Sequence, residues 1–148
     1  MSRQDSLRDY AAIFSDFSPG ALARLDALCR PDVTFRDPFH EVTGLEPMRA
    51  IFAAMFDLFE APAFTVRDFA LGADHGFILW TFDDGAQQGE PMRFDGTSTL
   101  TFDGEGRVAA HVDHWDAAGA IHERVPLLGS AIRLVNRRIA AKVRQAGD

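Results

Sequence analysis

The amino-terminal third of the chain is patterned for helices, because its apolar residues recur at intervals of three and four. A first helix is predicted to end near Ser18, and Ser18-Pro19 fits the N-cap and first position of a second helix that Pro31 ends. A third helix is predicted from Glu46 to Phe59. The three apolar faces consist of Leu7, Tyr10, Ala11, Phe14 and Phe17; of Leu22, Leu25 and Leu28; and of Met48, Ile51, Phe52, Met55, Phe56 and Phe59.

The following part of the chain is patterned mainly for strands. Apolar and polar residues alternate from Val33 until Pro38, and alternation returns after Pro62 with Phe64 and Val66. Three further strands are predicted over residues 77–82, 92–102 and 107–115, the last two joined by a hairpin turn at 103–106. The strand at 77–82 is apolar enough to be covered on both faces. Three helices followed by antiparallel strands predict an α+β fold with helices on one face of the sheet.

The carboxyl-terminal segment has a different pattern. A short helix is predicted from Ala117 to Arg124, ended by Pro126, and a helical apolar stripe follows. The stripe consists of Leu128, Ile132, Val135, Ile139 and Val143, and the remaining surface carries Arg133, Arg137, Arg138, Lys142 and Arg144. Such a helix can lie on an anionic membrane surface, but more often it covers the protein's own core or a partner subunit, so no membrane partner is expected. We expect one domain over residues 1–148, with 117–146 as a helical extension.

Composition narrows the class of protein. A net charge of −7 and a pI near 5.1 argue against binding to nucleic acid. Cys29 is the only cysteine, so no intrachain disulfide or cysteine zinc site is expected. The amino terminus is polar, and no apolar run is long enough to span a membrane. We therefore expect a cytoplasmic protein.

The first candidate for chemistry is Asp37, which lies between Phe35 and Phe39 and directly before Pro38. Proline excludes the preceding residue from the helical region, so Asp37 is predicted at the end of a strand. A carboxylate between aromatic rings can be partly desolvated and become a useful base. Asp-Pro is also common turn chemistry, so Asp37 could simply form a turn. His40 follows closely.

The second candidate is the strand ending in His111, Asp113 and Trp115. A period of two places these three side chains on one face, where the histidine and the aspartate can meet. An aspartate beside a histidine favours the imidazolium form or orients a neutral imidazole as a base. Trp115 would wall the same surface against water. The alternative is a structural polar cluster on a half-exposed strand.

Two other site types have weaker support in the spacing. His40, His111 and Asp113 or Asp37 would form a two-histidine, one-carboxylate metal set, but nothing in their separation demands one. Ser98 with a histidine and an aspartate could imitate a hydrolase triad, but the strand–nucleophile–helix turn of such enzymes is missing around it. No metal site is predicted.

In the order of these motifs, the chain resembles the nuclear-transport-factor-2-like (NTF2-like) superfamily, and within it the SnoaL-like polyketide cyclases and the ketosteroid isomerases. The resemblance covers residues 7–115. It is carried by the segments 10–14, 35–39 and 102–108, by Gly44 before the third helix, and by a last strand that ends at Trp115. It implies a cone, in which a curved, mostly antiparallel sheet wraps around the helices and encloses a pocket.

The resemblance also implies roles for residues. In ketosteroid isomerases the carboxylate matched by Asp37 moves a proton beside a carbonyl, and the residue matched by Tyr10 donates to the enolate oxygen. A protonated aspartate completes that oxyanion hole in the isomerases, and Ser98 stands at its position here. SnoaL-like cyclases resemble the chain at His111 and Asp113, because they use a histidine and an aspartate in the pocket for acid–base aldol ring closure.

The implied protein is an isomerase or cyclase that acts on an apolar carbonyl compound without a cofactor and forms a homodimer through its outer sheet face. The expected pocket lining consists of Phe39, His40, Phe52, Phe56, Trp80, Ser98 and Trp115. The alternative is a non-catalytic member of the superfamily that binds a small ligand or a partner protein, because fold does not determine function.

Overall fold

The computed structural model describes residues 1–125 and 127–145. Pro126, predicted to end the short helix, and residue 146, predicted to end the extension, lie outside the described residues. The chain divides into two units, Met1–Trp115 and Asp116–Asp148. The assignment of all 148 residues to one domain stays a prediction.

The first unit begins with three helices. Helix α1, Arg3–Ser15, is capped by Ser2, whose hydroxyl accepts a hydrogen bond from the Asp5 backbone N–H. The predicted second helix is instead two single turns, α2 (Pro19–Leu22) and α3 (Leu25–Leu28). The reason is local, since the N–H of Arg24 bonds three residues back to Ala21 and thereby tightens the backbone.

Strand β1, Cys29–Arg36, starts before Pro31 rather than after it. Its pairing with the last strand shifts register between Cys29 and Thr34, and proline is tolerated at such an irregularity because no regular ladder bond is lost. Helix α4, Leu45–Leu58, follows the short β2, Glu41–Thr43. Gly44 joins them at a φ of +114°, which is open to glycine and strained for other residues.

The curved sheet has six strands in the order β2-β1-β6-β5-β4-β3. The pair β1 and β6 is parallel, and the other four pairs are antiparallel. The remaining strands are β3 (Ala63–Leu71), β4 (His75–Asp83), β5 (Arg93–Phe102) and β6 (Val108–Trp115). The predicted α+β fold with a mostly antiparallel sheet is confirmed.

One face of the sheet is buried with the helices and the other is open. In β4, Ile78, Trp80 and Phe82 are buried, whereas Phe77 and Leu79 are 40% and 38% exposed. The prediction that this strand is covered on both faces is therefore wrong within this chain. The inner face packs with the apolar side chains of α1 and α4, including Leu7, Tyr10, Phe14, Met48 and Phe52.

The second unit is helical. Its elements are α5 (Ala117–Ala120), a short 3₁₀ helix (His122–Arg124) and α6 (Leu128–Gln145). The predicted helix over 117–124 is thus α-helical only in its first turn. Along α6, Leu128, Val135 and Ile139 are about half exposed. Among the residues that the structure describes, no helix has the length and apolar character needed to cross a membrane.

Candidate functional site

Three neighbouring strands bring the sequence candidates together on the inner face of the sheet. The β5–β6 register pairs Ser98 with Asp113 and Leu100 with His111. The parallel β1–β6 register places Phe35 beside His111. The predicted common face of His111 and Asp113 thus lies toward the helices, and Tyr10 of α1 reaches it from the other layer.

A chain of hydrogen bonds runs through five side chains at this point. The indole N–H of Trp80 donates to Ser98 Oγ (2.9 Å), and the Ser98 hydroxyl donates to Asp113 Oδ1 (2.5 Å). His111 Nε2 lies 2.7 Å from the same oxygen, and His111 Nδ1 lies 2.8 Å from the Tyr10 hydroxyl oxygen. The five residues come from four segments, α1, β4, β5 and β6, which meet only in the folded chain.

The roles within this chain follow from the chemistry of the groups. An ionised Asp113 only accepts hydrogen bonds, so His111 donates to it from Nε2. In that tautomer the Nδ1 of His111 is unprotonated and accepts a hydrogen bond from the Tyr10 hydroxyl. The Trp80 N–H can only donate, so Ser98 Oγ accepts from it. The Ser98 hydroxyl then donates its own hydrogen bond to Asp113. Two donors therefore converge on one oxygen of Asp113.

His111 is enclosed by aromatic rings, and its side chain is fully buried. The ring centroids of Tyr10, Phe14, Phe35 and Phe52 lie 5.1–5.9 Å from that of the imidazole. An imidazole in this position has no path to a ligand of its own. It acts on its surroundings only through Asp113 and Tyr10.

Burial also controls the two acidic groups behind the imidazole. Burial raises the pKa of the Tyr10 hydroxyl well above its usual range, and repulsion from Asp113 and from the thiolate that Cys29 forms at high pH raises it further. Burial likewise raises the pKa of the Cys29 thiol to about 12, although a hydrogen bond with Tyr10 opposes the effect. Both groups are therefore protonated at neutral pH.

A cavity of about 80 Å³ lies in front of this network. Its walls are largely aromatic, and two carboxylates, Asp37 and Asp113, are its only charged lining residues in the described part of the chain. The apolar lining consists of Phe35, Ile51, Phe52, Met55, Phe64, Trp80, Phe82, Phe94 and Trp115. An open groove of about 310 Å³ along the ends of β1 and β6 shares Asp37, Asp113 and Trp115 with the cavity.

Asp37 is held by its own turn. Its Oδ1 accepts hydrogen bonds from the backbone N–H groups of Phe39 (2.8 Å) and His40 (2.6 Å). Both of its oxygens lie 3.0 Å from His40 Nδ1. Asp37 thus forms the turn that Asp-Pro chemistry predicts and also lines the cavity. Neither carboxylate oxygen is without a partner.

Asp113 differs in this respect. Both of its hydrogen bonds fall on Oδ1, and within residues 1–125 and 127–145 Oδ2 has no hydrogen-bond partner. Its side chain is 13% exposed, and it lines the cavity. Asp113 is therefore the cavity carboxylate with an oxygen available to a ligand.

The remaining candidates form three groups, which line the cavity, lie behind Asp113 or lie outside the cavity. Phe52, Trp80 and Trp115 line the cavity. Tyr10 and Ser98, expected as donors to a ligand, are buried behind Asp113 and are not part of the cavity lining. Their hydroxyl groups are engaged within the network.

Three expected lining residues lie elsewhere. Phe56 stacks on Phe17, with ring centroids 4.8 Å apart, and does not line the cavity. Phe39 is 51% exposed and packs edge-on against Trp115, outside the cavity wall. His40 is not among the cavity-lining residues and pairs with Asp37, which is one of them.

The sequence reasoning missed several wall residues, and strand periodicity could have found some of them. Phe82 and Phe94 are directly paired across β4 and β5 and share the inner face with Trp80. Gly96, paired with Trp80, is a further signal, because a Cβ there would overlap the Trp80 ring. This glycine gives the indole room to lie across β5, from where it donates to Ser98.

The histidines do not gather into a metal site. His40 pairs with Asp37, and His111 pairs with Asp113. In the part of the chain that the structure describes, no three His, Cys, Asp or Glu residues are placed to hold a metal ion.

Comparison with known proteins assigns the chain to a family. The model of the SnoaL-like domain matches residues 8–111, which span α1 to the middle of β6. The chain belongs to this SnoaL-like family, within the NTF2-like fold. The sequence has no significant match among curated proteins.

Solved structures share the fold at low sequence identity. A candidate SnoaL-like polyketide cyclase from Jannaschia sp. CCS1 is 16% identical, with a TM-score of 0.67 over 78% of this chain and 88% of that one. A candidate SnoaL-like isomerase from Agrobacterium tumefaciens is 15% identical, with a TM-score of 0.62 over 77% and 97%. A protein of ketosteroid-isomerase-like fold from Catenulispora acidiphila, in complex with trimethylamine, is 21% identical, with a TM-score of 0.62 over 78% and 88%.

Proposed function

We propose that this protein is an acid–base isomerase or cyclase that acts on an apolar carbonyl compound without a cofactor, with Asp113 as its catalytic base. The observation that carries the proposal is that Asp113 lines a cavity walled by aromatic rings and has an oxygen, Oδ2, without a hydrogen-bond partner in the described part of the chain. A positioned carboxylate in an apolar cavity is suited to taking a proton from carbon. The SnoaL-like family supports the same class of reaction.

In the proposed reaction, Asp113 Oδ2 removes a proton from the carbon beside the substrate carbonyl, and the C–H electrons form an enolate. In an isomerisation, Asp113 returns the proton to another carbon of the conjugated system. In a cyclisation, the enolate carbon attacks a second carbonyl, and Asp113 gives its proton to the resulting alkoxide. Both reactions conserve atoms and electrons without a co-reactant.

His111, Ser98 and Tyr10 act as positioning residues in this proposal. His111 and Ser98 hold Oδ1 and thereby leave Oδ2 for the substrate. Tyr10 holds the imidazole in the tautomer that donates to Asp113. Asp37 shapes the cavity mouth, since its own oxygens are bonded within the turn.

The size of the cavity bears on the substrate. A volume of about 80 Å³ is below the roughly 300–1,000 Å³ of ordinary ligand sites. We therefore propose that only the reacting end of the substrate enters the cavity. The adjoining groove of about 310 Å³ would take the remainder.

The test is a screen of cyclic enones and polyketide-like diketones, with turnover compared between wild type, Asp113→Asn and Asp37→Asn. Asp113→Asn keeps the shape of the side chain and removes the base, so we expect kcat to fall by about 10²–10⁴. Asp37→Asn keeps a turn-forming oxygen and should cost less than about tenfold. Wild-type turnover in Asp113→Asn would overturn the assignment of the base.

A second candidate function is non-catalytic binding of a small organic cation. Aromatic walls and two carboxylates are the features of a site for an alkylammonium ion, and no Lys or Arg of the described chain lines the cavity. The trimethylamine complex of the Catenulispora protein supports this candidate. Calorimetry with trimethylamine hydrochloride, with tert-butanol as the neutral control, tests it. Equal heats for the two probes would count against it.

We also propose a homodimer formed through the outer sheet face, where Phe77 and Leu79 are exposed. Sedimentation equilibrium of wild type and Leu79→Asp tests this assembly. We expect the wild type to sediment as a dimer and the variant to dissociate, because a charge would be buried at the interface. A wild-type protein that stays monomeric would contradict the proposal.

A further inference from the structure

The proposed reaction places negative charge on the substrate oxygen, and that charge needs a hydrogen-bond donor. The two donors expected from the family resemblance are engaged elsewhere. The Tyr10 hydroxyl lies at His111 Nδ1, and the Ser98 hydroxyl donates to Asp113. Neither residue lines the cavity. Another side-chain donor can come from the cavity lining.

Four cavity residues carry a group capable of hydrogen bonding. Asp37 and Asp113 are carboxylates, which accept when ionised. The Trp80 N–H already donates to Ser98. The fourth residue, Trp115, has an indole N–H that makes no hydrogen bond within the described ranges, 1–125 and 127–145. An indole N–H can only donate, so it needs a hydrogen-bond acceptor such as a carbonyl oxygen.

The position of Trp115 suits such a role. It lies two residues after Asp113 on the same face of β6, which separates the two backbone positions by about 7 Å. Side chains at this separation on one strand face are neighbours, so a carbonyl oxygen and the carbon beside it can each approach one of the two side chains to about 3 Å. Stacking on Phe94, at a centroid distance of 4.5 Å and an angle of 22°, holds the indole plane.

We propose that Trp115 is a catalytic residue whose Nε1–H donates a hydrogen bond to the carbonyl oxygen of the substrate as it becomes an enolate. This inference rests on the proposed function and adds the oxyanion donor to it. Asp113 and Trp115 then form the two halves of the reaction site, and a single strand positions both. The substrate class is a carbonyl compound whose acidic C–H is adjacent to the carbonyl.

The kinetic test is Trp115→Phe, which keeps an aromatic ring against Phe94 and removes the donor. We expect kcat to fall by about 10²–10³ with little change in KM, because the bond strengthens only as charge develops. Phe94→Leu is the packing control, since it removes the stacking partner and keeps the N–H, and its effect should be smaller. Wild-type kcat in Trp115→Phe would overturn the inference.

The second measurement uses the wild-type protein and does not depend on turnover. Trp80 and Trp115 are the only two tryptophans, so a ¹H–¹⁵N spectrum of the folded protein has two indole signals. Titration with 2-naphthol, whose oxygen resembles an enolate oxygen, should move the Trp115 indole proton downfield more than that of Trp80. An unmoved Trp115 signal at the highest naphthol concentration would overturn the donor role.

The two measurements separate this inference from the proposed function. Turnover that is lost in Asp113→Asn but retained in Trp115→Phe defeats the donor role alone. A wild-type protein without turnover on any carbonyl substrate defeats the proposed function. In that case the naphthol titration decides by itself whether Trp115 donates to a ligand oxygen.

Discussion

Two histidine–aspartate pairs of the described chain differ in their surroundings, one in the turn after β1 and one on β6. The two carboxylates, Asp37 and Asp113, line the same cavity, and each side chain is 13% exposed. The histidines differ: His40 is 46% exposed, whereas the His111 side chain is fully buried. The pairs therefore share a chemical composition but not an environment.

The difference lies in where the hydrogen bonds of each carboxylate come from. Asp37 is bonded by residues two and three positions ahead, so its oxygens serve the turn itself. Asp113, which lines the cavity, is bonded by His111 and Ser98 through one oxygen, and its other oxygen has no hydrogen-bond partner in the described part of the chain. A local turn uses up the acceptors of a carboxylate, whereas a network between strands can orient it and leave one oxygen for chemistry.

The largest contrast in stability should come from removing each histidine. His111→Ala leaves a buried Tyr10 hydroxyl and Asp113 without their partner and opens a cavity among aromatic rings, so we expect a loss of about 3–5 kcal/mol. His40→Ala removes a half-exposed partner and should cost at most about 1 kcal/mol. Urea unfolding of both variants measures the difference. Equal losses would contradict the contrast between the buried and the exposed pair.

Gly96→Ala tests the buried network from its far end. A Cβ at residue 96 would overlap the Trp80 ring and force the indole away from Ser98. We expect a loss of about 1–3 kcal/mol from overpacking. Gly104→Ala is the matched control, because a Cβ there meets no other atom. Thermal unfolding of the two variants should place Gly96→Ala clearly below Gly104→Ala in Tm.

The buried network also predicts an alkaline limit to stability. The folded Cys29 thiol keeps its proton up to about pH 12, against an ordinary value of 9.0. Above pH 9 the unfolded chain loses a proton that the folded chain retains. Stability is therefore complete below pH 9 and falls with rising pH, by up to about 1.4 kcal/mol per unit, until about pH 12. Tyr10, whose pKa is also raised, adds to the fall above its usual range.

Urea unfolding between pH 8 and 11, in wild type and Cys29→Ala, measures this dependence. The variant lacks the thiol, so its stability should decline less steeply with pH. A variant with the same slope as wild type would show that the thiol does not titrate between the folded and unfolded states.

The smallest expected effect concerns the turn. Asp37→Ala removes the acceptor of two backbone N–H groups and should cost about 1 kcal/mol, whereas Asp37→Asn keeps a side-chain oxygen and should cost less. Urea unfolding of both variants separates the turn from the charge. Equal losses in Asn and Ala would indicate that the charge of Asp37, rather than its turn bonds, stabilises the fold.

Much of the fold could be predicted because it depends on short-range patterns. Apolar spacing predicted α1, α4 and α6, and alternation with turn residues predicted the strands and the hairpin at 103–106. The prediction of a single second helix was wrong because a spacing of leucines does not distinguish one helix from two consecutive turns. The prediction that β4 is buried on both faces was wrong because the apolar sequence of a strand does not reveal whether both faces of the sheet are covered.

The site was predictable only in part. Strand periodicity by itself placed His111, Asp113 and Trp115 on one face, and the Asp-Pro pair by itself determined a turn at Asp37. Tertiary structure decided the rest: that Tyr10 bonds His111 rather than facing the cavity, and that Ser98 and Trp80 complete the network. These pairings join residues up to 101 positions apart. They depend on the register between strands and the packing of α1 on the sheet, which no local pattern encodes.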